Sequence, residues 1–214
     1  MENQTFTVSL SKNPLITMKV IPGHFATSSA HVSHYLNVND LKTNARMAKD
    51  VAKELAIPYL TSTLVDTIVC VEGTQVIGAY LAEELLQDGI SIMNSDQEIH
   101  VITPEVNVNK ELMFPDSKKD IILDKNILLL IDSISSGITL SCALECISYY
   151  GGTLIGISTL FSALADQSGQ EIHTLFTDDD IEEYQIYTPG QCAMCEQGLK
   201  VEAYINSEGY STIK

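Results

Sequence analysis

The chain has 214 residues, 45% of them hydrophobic, enough to bury one sizeable core, and a formal net charge of -16 from 28 acidic and 12 basic side chains. That balance excludes a protein whose main work is gripping a polyphosphate backbone by charge, so nucleic acid is not an expected partner. The odd count of five cysteines suits a reducing compartment, no apolar stretch could span a bilayer, and the opening MENQTFTVSLSKNP lacks the basic flank and apolar centre of a secretion signal, so a cytoplasmic protein without a membrane partner is expected.

In chain order, residues 1–40 carry scattered His, Ser and Asn and read as a small N-terminal hood. Leu41, Ala45, Ala48, Val51, Ala52 and Leu55 fall at helical spacing, and Pro58 closes that helix. The run DTIVCV, residues 66–71, reads as a short buried strand, followed by Val76, Ile77, Tyr80, Leu81 and Leu85 on one helical face. After a turn at Gly89 comes a strand over 98–103, then a polar stretch over 104–125 that is too long for an ordinary connection and reads as a functional or mobile loop. Strand 126–132, helix 137–150 and strand 153–161 follow, and residues 190–214 form a C-terminal extension of what is read as one domain, 1–214. Strands that are apolar on both faces, alternating with helices, predict an α/β fold: a parallel sheet with helices on both faces. Ligands of such sheets bind at the carboxyl ends of the strands, where Asp132 and the turn after Val71 lie.

The stretch ILLLIDSISSGITLSCAL, residues 127–144, concentrates the chemistry. Gly137 permits a tight entry into the helix, whose first N–H groups, on residues 136–139, would face the strand end and make an anion pocket. Ser135, Ser136 and Thr139 add hydroxyl donors, whereas Asp132 would repel a phosphate and needs another partner, such as vicinal sugar hydroxyls or a metal ion. A ribose 5-phosphate meets both demands. The competing reading is that Asp132 and Ser135 merely cap the helix.

LLLIDSISSGIT resembles the phosphoribosyl diphosphate (PRPP) motif of type I phosphoribosyltransferases, with Ser135, Ser136, Gly137 and Thr139 on the phosphate loop, Asp132 on the second acid and Ile131 where the family has its first. GHFATSSAHVSHYLNV, residues 23–38, is similar to the N-terminal segment of orotate phosphoribosyltransferases, and VDTIVCVEGTQVIGAYLAEEL, residues 65–85, occupies the place of that family's pyrophosphate-binding strand and loop. The resemblance implies transfer of ribose 5-phosphate from PRPP to a nitrogenous base, Mg²⁺ on the diphosphate, and a homodimer. Residue by residue it implies phosphate or PRPP binding by Asp132, Ser133, Ser135, Ser136, Gly137, Ile138 and Thr139; a pyrophosphate side at Glu72, Gly73, Thr74 and Gln75; base contacts from Phe25, Thr27, Ser28 and Ser29; and catalytic roles for Asp132 and Lys110. The chain departs from the pattern at Ile131, at Gln75 in place of a glycine, and in a 104–125 loop that offers only Lys110 where the family has several cations. These departures motivate a second reading, a non-catalytic sensor of PRPP or a nucleoside monophosphate. For an anionic base such as orotate, Lys12, Lys19, Lys42 and Arg46 are the cations within reach of the hood in sequence.

Two further groups remain. Cys192 and Cys195, in PGQCAMCEQG, are half of a zinc site; without a second pair they read as two thiols in a turn, His173 or a partner subunit being the source of further ligands. His24, His31 and His34 read as groups over the base rather than as metal ligands, and no metal site is assigned to the protein's own side chains. DDDIEEY, residues 178–184, reads as a capped helix start, and Cys142 and Cys146 as small core residues.

Overall fold

The computed structural model describes residues 5–89, 92–108, 111–167 and 169–213. Its elements are β1 (Phe6–Leu10), β2 (Asn13–Ala26), β3 (His31–Asn37), α1 (Asn39–Thr43), α2 (Ala45–Ala56), β4 (Thr67–Cys70), α3 (Gln75–Leu85), β5 (His100–Ile102), β6 (Glu105–Val106), β7 (Leu112–Met113), β8 (Asn126–Ile134), α4 (Ile138–Tyr149), β9 (Thr153–Ser162), β10 (Asp166–Gln167), β11 (Gln170–Thr177), β12 (Ile186–Tyr187), α5 (Ala193–Glu196), β13 (Ala203–Asn206) and β14 (Gly209–Thr212).

The main sheet runs β10-β11-β9-β8-β4-β5 and is parallel throughout except for β10, which turns back on β11. The period of two along β8 explains its position at the centre. Leu128 and Leu130 point into a core with α2 and α3, while Ile127, Leu129 and Ile131 point into a second core with Leu140, Ala143 and Ile147 of α4. A strand apolar on both faces can sit only between helices, and Asp132 interrupts that pattern on the α2–α3 side.

A second sheet, β12-β3-β2-β13-β14 with β1 added to β2, is built from the N-terminal strands and the C-terminal ones together. Residues 203–212 thus belong to the same sheet as residues 6–37, β13 pairing parallel to β2 through Ala203 and Phe25. Ile16, Met18 and Val20 of β2 enter the α2–α3 core, which joins the two sheets.

Several expectations are corrected. The helix over 41–55 is two helices, because the Asn44 side chain accepts from the backbone N–H groups of Arg46 and Met47 and so starts α2 afresh. The stretch 104–125 carries structure of its own: β6 pairs with β7, a 3₁₀ turn covers Asp116–Ile121, and Phe114 and Ile122 are buried in the α4 core. In DDDIEEY the helical start is a single 3₁₀ turn, Asp178–Asp180, closed by a capping box between Thr177 and Asp180. Of the two cysteines on α4, Cys146 is buried and Cys142 exposed.

Helix α3 approaches β4 so closely that Gly78 has no room for a side chain: an added Cβ would overlap the Cys70 sulfur and lie 3.1 Å from Val101 Cγ1. In an exposed helix Gly→Ala gains about 1 kcal/mol. Here the sign reverses: Gly78→Ala should lower stability by about 1–3 kcal/mol through overpacking, read from urea unfolding midpoints.

Candidate functional site

At the carboxyl end of β8, Asp132 is buried, and its Oδ2 accepts from Lys42 Nζ at 2.9 Å. Its Oδ1 accepts from Ser133 Oγ at 3.0 Å, and its backbone carbonyl from Thr159 Oγ1 at 3.1 Å. Lys42 reaches this point because the break at Asn44 lets α1 turn inward; its ammonium also donates to the carbonyls of Glu72 at 3.0 Å and Ser207 at 2.7 Å. With three acceptors for three protons and both side chains 3% exposed, this is a fully satisfied buried ion pair.

Glu72 completes the cluster. It follows β4 with φ +58, a left-handed conformation that a side-chain-bearing residue adopts at a cost of about 1–2 kcal/mol, and Gly73 continues with φ +82. Burial, then the hydrogen bond to Asp132 and its charge, push the Glu72 carboxyl up to about 9, against the opposing pull of Thr139 and Lys42. The direction of this shift favours the protonated, neutral form of Glu72 at neutral pH. One positive lysine, one negative aspartate and one neutral glutamic acid leave the end of β8 without net charge.

Three positions beyond Ile134 the chain reaches Gly137, with φ +76, at the N-cap of the twelve-residue helix α4; no side chain caps this helix. The capping reading of Asp132 and Ser135 is thereby corrected: Asp132 is turned to Lys42, and the helix start is left facing the adjoining cavity. A Cβ on Gly137 would lie 3.2 Å from Leu164 Cδ1, so both conformation and space select glycine there.

The cavity, about 240 Å³, lies just under the roughly 300–1,000 Å³ of pockets that take drug-sized ligands and suits something smaller. Its wall combines Ser133, Ser135, Ser136, Gly137, Ile138 and Thr139 with Asp132 and Glu72, and with Thr27, Ser28 and Ser29 from the β2–β3 turn. Ser29 Oγ and Ser136 Oγ are 3.0 Å apart and hydrogen-bond across the gap between the two sheets. Tyr35, His34, Tyr184, Phe161 and residues 205–207 close the remainder. Burial pushes the His34 imidazole down, which favours its neutral form.

Four expected site residues lie elsewhere. Phe25 is buried among Ile21, Val32, Tyr35 and Ala203, so it is core rather than a contact for a base. Thr74 is also buried and spends its hydroxyl on the carbonyls of Val71 and Leu130. Gly73 faces the Lys42 side chain, and Gln75 is exposed at the start of α3. Lys110 lies outside the described residues. Conversely, Tyr35, Tyr184 and the 205–207 segment were not foreseen, and Lys42 was foreseen only as a cation for the hood; it lies one position past Leu41, close enough to that apolar stripe to be carried inward.

A divalent cation held by the protein would need free carboxylate oxygens in this cavity. Both oxygens of Asp132 are engaged, by Lys42 and Ser133, so this carboxylate as it stands offers no vacant oxygen to a directly bound Mg²⁺. His24, His31, Cys192 and Cys195 converge outside the cavity lining, beside the β2–β3 turn; His173 is not among them, lying on β11 with Nδ1 3.9 Å from Glu171.

Comparison with protein-family models and with curated sequences gives no match. Solved structures do match. The UMP synthase of Leishmania donovani superposes with a TM-score of 0.53 at 18% identity over 74% of this chain, which spans 33% of that longer chain. The orotate phosphoribosyltransferase of Mycobacterium tuberculosis, solved with inorganic phosphate, gives 0.50 at 11% identity, covering 70% of this chain and 80% of that one. The adenine phosphoribosyltransferase of Thermoanaerobacter pseudethanolicus gives 0.50 at 16%, covering 67% and 88%. The chain has the type I phosphoribosyltransferase fold.

The buried cluster yields a stability prediction and a pH prediction. Lys42→Met should cost about 3–5 kcal/mol by stranding the Asp132 charge, and adding Asp132→Asn should recover much of that loss, as read by a double-mutant cycle in urea. For Glu72, a folded-state pKa above the unfolded value means that folding takes up a proton: its contribution is fully present below the unfolded pKa and is lost as pH rises toward about 9. Glu72→Gln should therefore flatten the decline in stability between pH 5 and 9 by up to ~1.4 kcal/mol per pH unit.

Proposed function

We propose that this chain binds a 5-phosphoribosyl group in the cavity at the end of β8 and that its function is of phosphoribosyltransferase type: transfer of ribose 5-phosphate from PRPP to a nitrogenous base, with release of pyrophosphate. The observation that carries this reading is the start of α4, left without a side-chain cap and opening, beside Ser135, Ser136 and Thr139, onto a cavity that Asp132 and Glu72 also line. The 5-phosphate takes the helix N–H groups and the hydroxyls. The ribose hydroxyls lie toward Asp132 and Glu72, whose pairing with Lys42 spares an incoming anion any net negative charge. Thr27, Ser28, Ser29, His34 and Tyr184 surround the remaining space and meet the base. Asp132 also faces the sugar ring, where its carboxylate opposes the positive charge that develops as the bond to the leaving group breaks.

A second reading, a non-catalytic binder of PRPP or a nucleoside monophosphate, is favoured by one observation. Among the described residues no lysine or arginine lines the cavity, so nothing there neutralises a departing diphosphate, and a missing preorganised donor of that kind typically costs ~10²–10³ in rate.

Pyrophosphate release from PRPP, supplied as its magnesium complex with a panel of purine and pyrimidine bases, separates the two readings, and calorimetric titration with nucleoside monophosphates tests what they share. Transfer predicts base-dependent release; the binder reading predicts none, with heat on titration. Ser136→Asp places a carboxylate in the phosphate seat at an exposed position and should weaken binding at least about tenfold without unfolding the protein. Unchanged affinity would remove the phosphate from this loop.

A further inference from the structure

The segment between β12 and β13 poses a packing problem. Over residues 188–202 a single side chain, Cys192, is buried, and the four-residue helix α5 contributes nothing to either core. A stretch with so little apolar burial needs another cross-link to hold one conformation.

Four side chains, two from the segment and two from the β2–β3 hairpin, supply the means. His24 Nε2 lies 3.0 Å from His31 Nδ1, 3.5 Å from Cys192 Sγ and 3.7 Å from Cys195 Sγ; Cys195 Sγ is 3.4 Å from His31 Nδ1; and the four ligand atoms all fall within 4.8 Å of one another. A tetrahedral zinc with Zn–N of about 2.05 Å and Zn–S of about 2.3 Å has N···N edges of about 3.3 Å and N···S edges of about 3.6 Å. His24 Nδ1, at 3.0 Å from the Leu199 carbonyl, donates its proton there, which fixes the tautomer and turns the lone pair of Nε2 toward the other three groups. Without a cation, His31 Nδ1 and both thiols crowd that one lone pair. A metal ion at the centre removes the conflict, and two thiolates with two imidazoles in this geometry select zinc.

We infer that His24, His31, Cys192 and Cys195 form a structural zinc site that clamps the 188–202 segment onto the β2–β3 hairpin. All four coordination positions are filled by protein, so the ion has no open site for chemistry. The two histidines flank the turn that carries Thr27, Ser28 and Ser29, so the same clamp holds the outer wall of the cavity in place. Neither the CxxC nor the histidine cluster completes a site alone; the fold joins them across more than 160 residues of sequence.

The test is elemental analysis of the full chain purified under reducing conditions without chelator, followed by removal of the ion and titration with Zn²⁺ and Co²⁺. The expected result is one zinc per chain, protection of Cys192 and Cys195 from a thiol reagent that is lost in the metal-free protein, and a tetrahedral cobalt–thiolate absorption on Co²⁺ addition. Cys195→Ser, at an exposed position, should abolish stoichiometric zinc, and hydrogen exchange over residues 193–199 should accelerate. Should the variant fail to fold, the wild-type titration still decides. Protein that retains no zinc and whose two thiols react equally fast with and without Zn²⁺ would overturn the site, as would another metal retained in preference to zinc. None of these readouts involves a nucleotide, so they stand or fall separately from the reading of the cavity.

Discussion

The buried contact between Lys42 and Asp132 is the interaction on which the site depends. A carboxylate at the end of a strand that is apolar on both faces cannot stay charged unless something compensates it, and the compensation comes from a lysine ninety residues earlier in the chain. Its consequences spread outward. Lys42 ties the Glu72 and Ser207 carbonyls to the same point, which joins the turn after β4 and the loop after β13 to the end of β8. Burial, with Asp132 beside it, in turn favours the neutral form of Glu72. The result is a neutral floor inside a protein that carries a net charge of -16, and on such a floor a dianionic phosphate can be held by backbone N–H groups and hydroxyls alone.

This arrangement also accounts for the departures from the resembling motif. With Ile131 buried in the α4 core, one acid of the usual two is missing, and the partnership with Lys42 and Glu72 surrounds the acid that remains. Of the residues expected to hold diphosphate, only Glu72 reaches the cavity; Thr74 is spent on holding the turn closed. On the proposed reading, the balance of the site shifts toward the ribose phosphate and away from the leaving group.

Much of the fold was legible in the sequence because its signals are local. The strands centred on residues 67–70, 126–134 and 153–162 announce themselves as short apolar runs, and the small-residue turn at Ser135-Ser136-Gly137 marks the start of α4. What escaped depended on distant partners. Asn44 as a helix cap is a one-residue signal within an otherwise continuous helical pattern. Phe25 reads in the sequence as a base contact because its partner Ala203, which helps enclose it in a small core, lies at the other end of the chain. The same holds for Lys42 and for the meeting of His24 and His31 with Cys192 and Cys195: the residue types were visible, and their juxtaposition belongs to the topology of the second sheet.

The most direct measurement is a crystal structure of the protein with ribose 5-phosphate. The account predicts phosphate oxygens within hydrogen-bond distance of the backbone N–H groups at the start of α4, the sugar hydroxyls toward Asp132 and Glu72, and Lys42 still seated on Asp132. A sugar phosphate bound away from Gly137, or a Lys42 that leaves Asp132 to grip the phosphate itself, would contradict it.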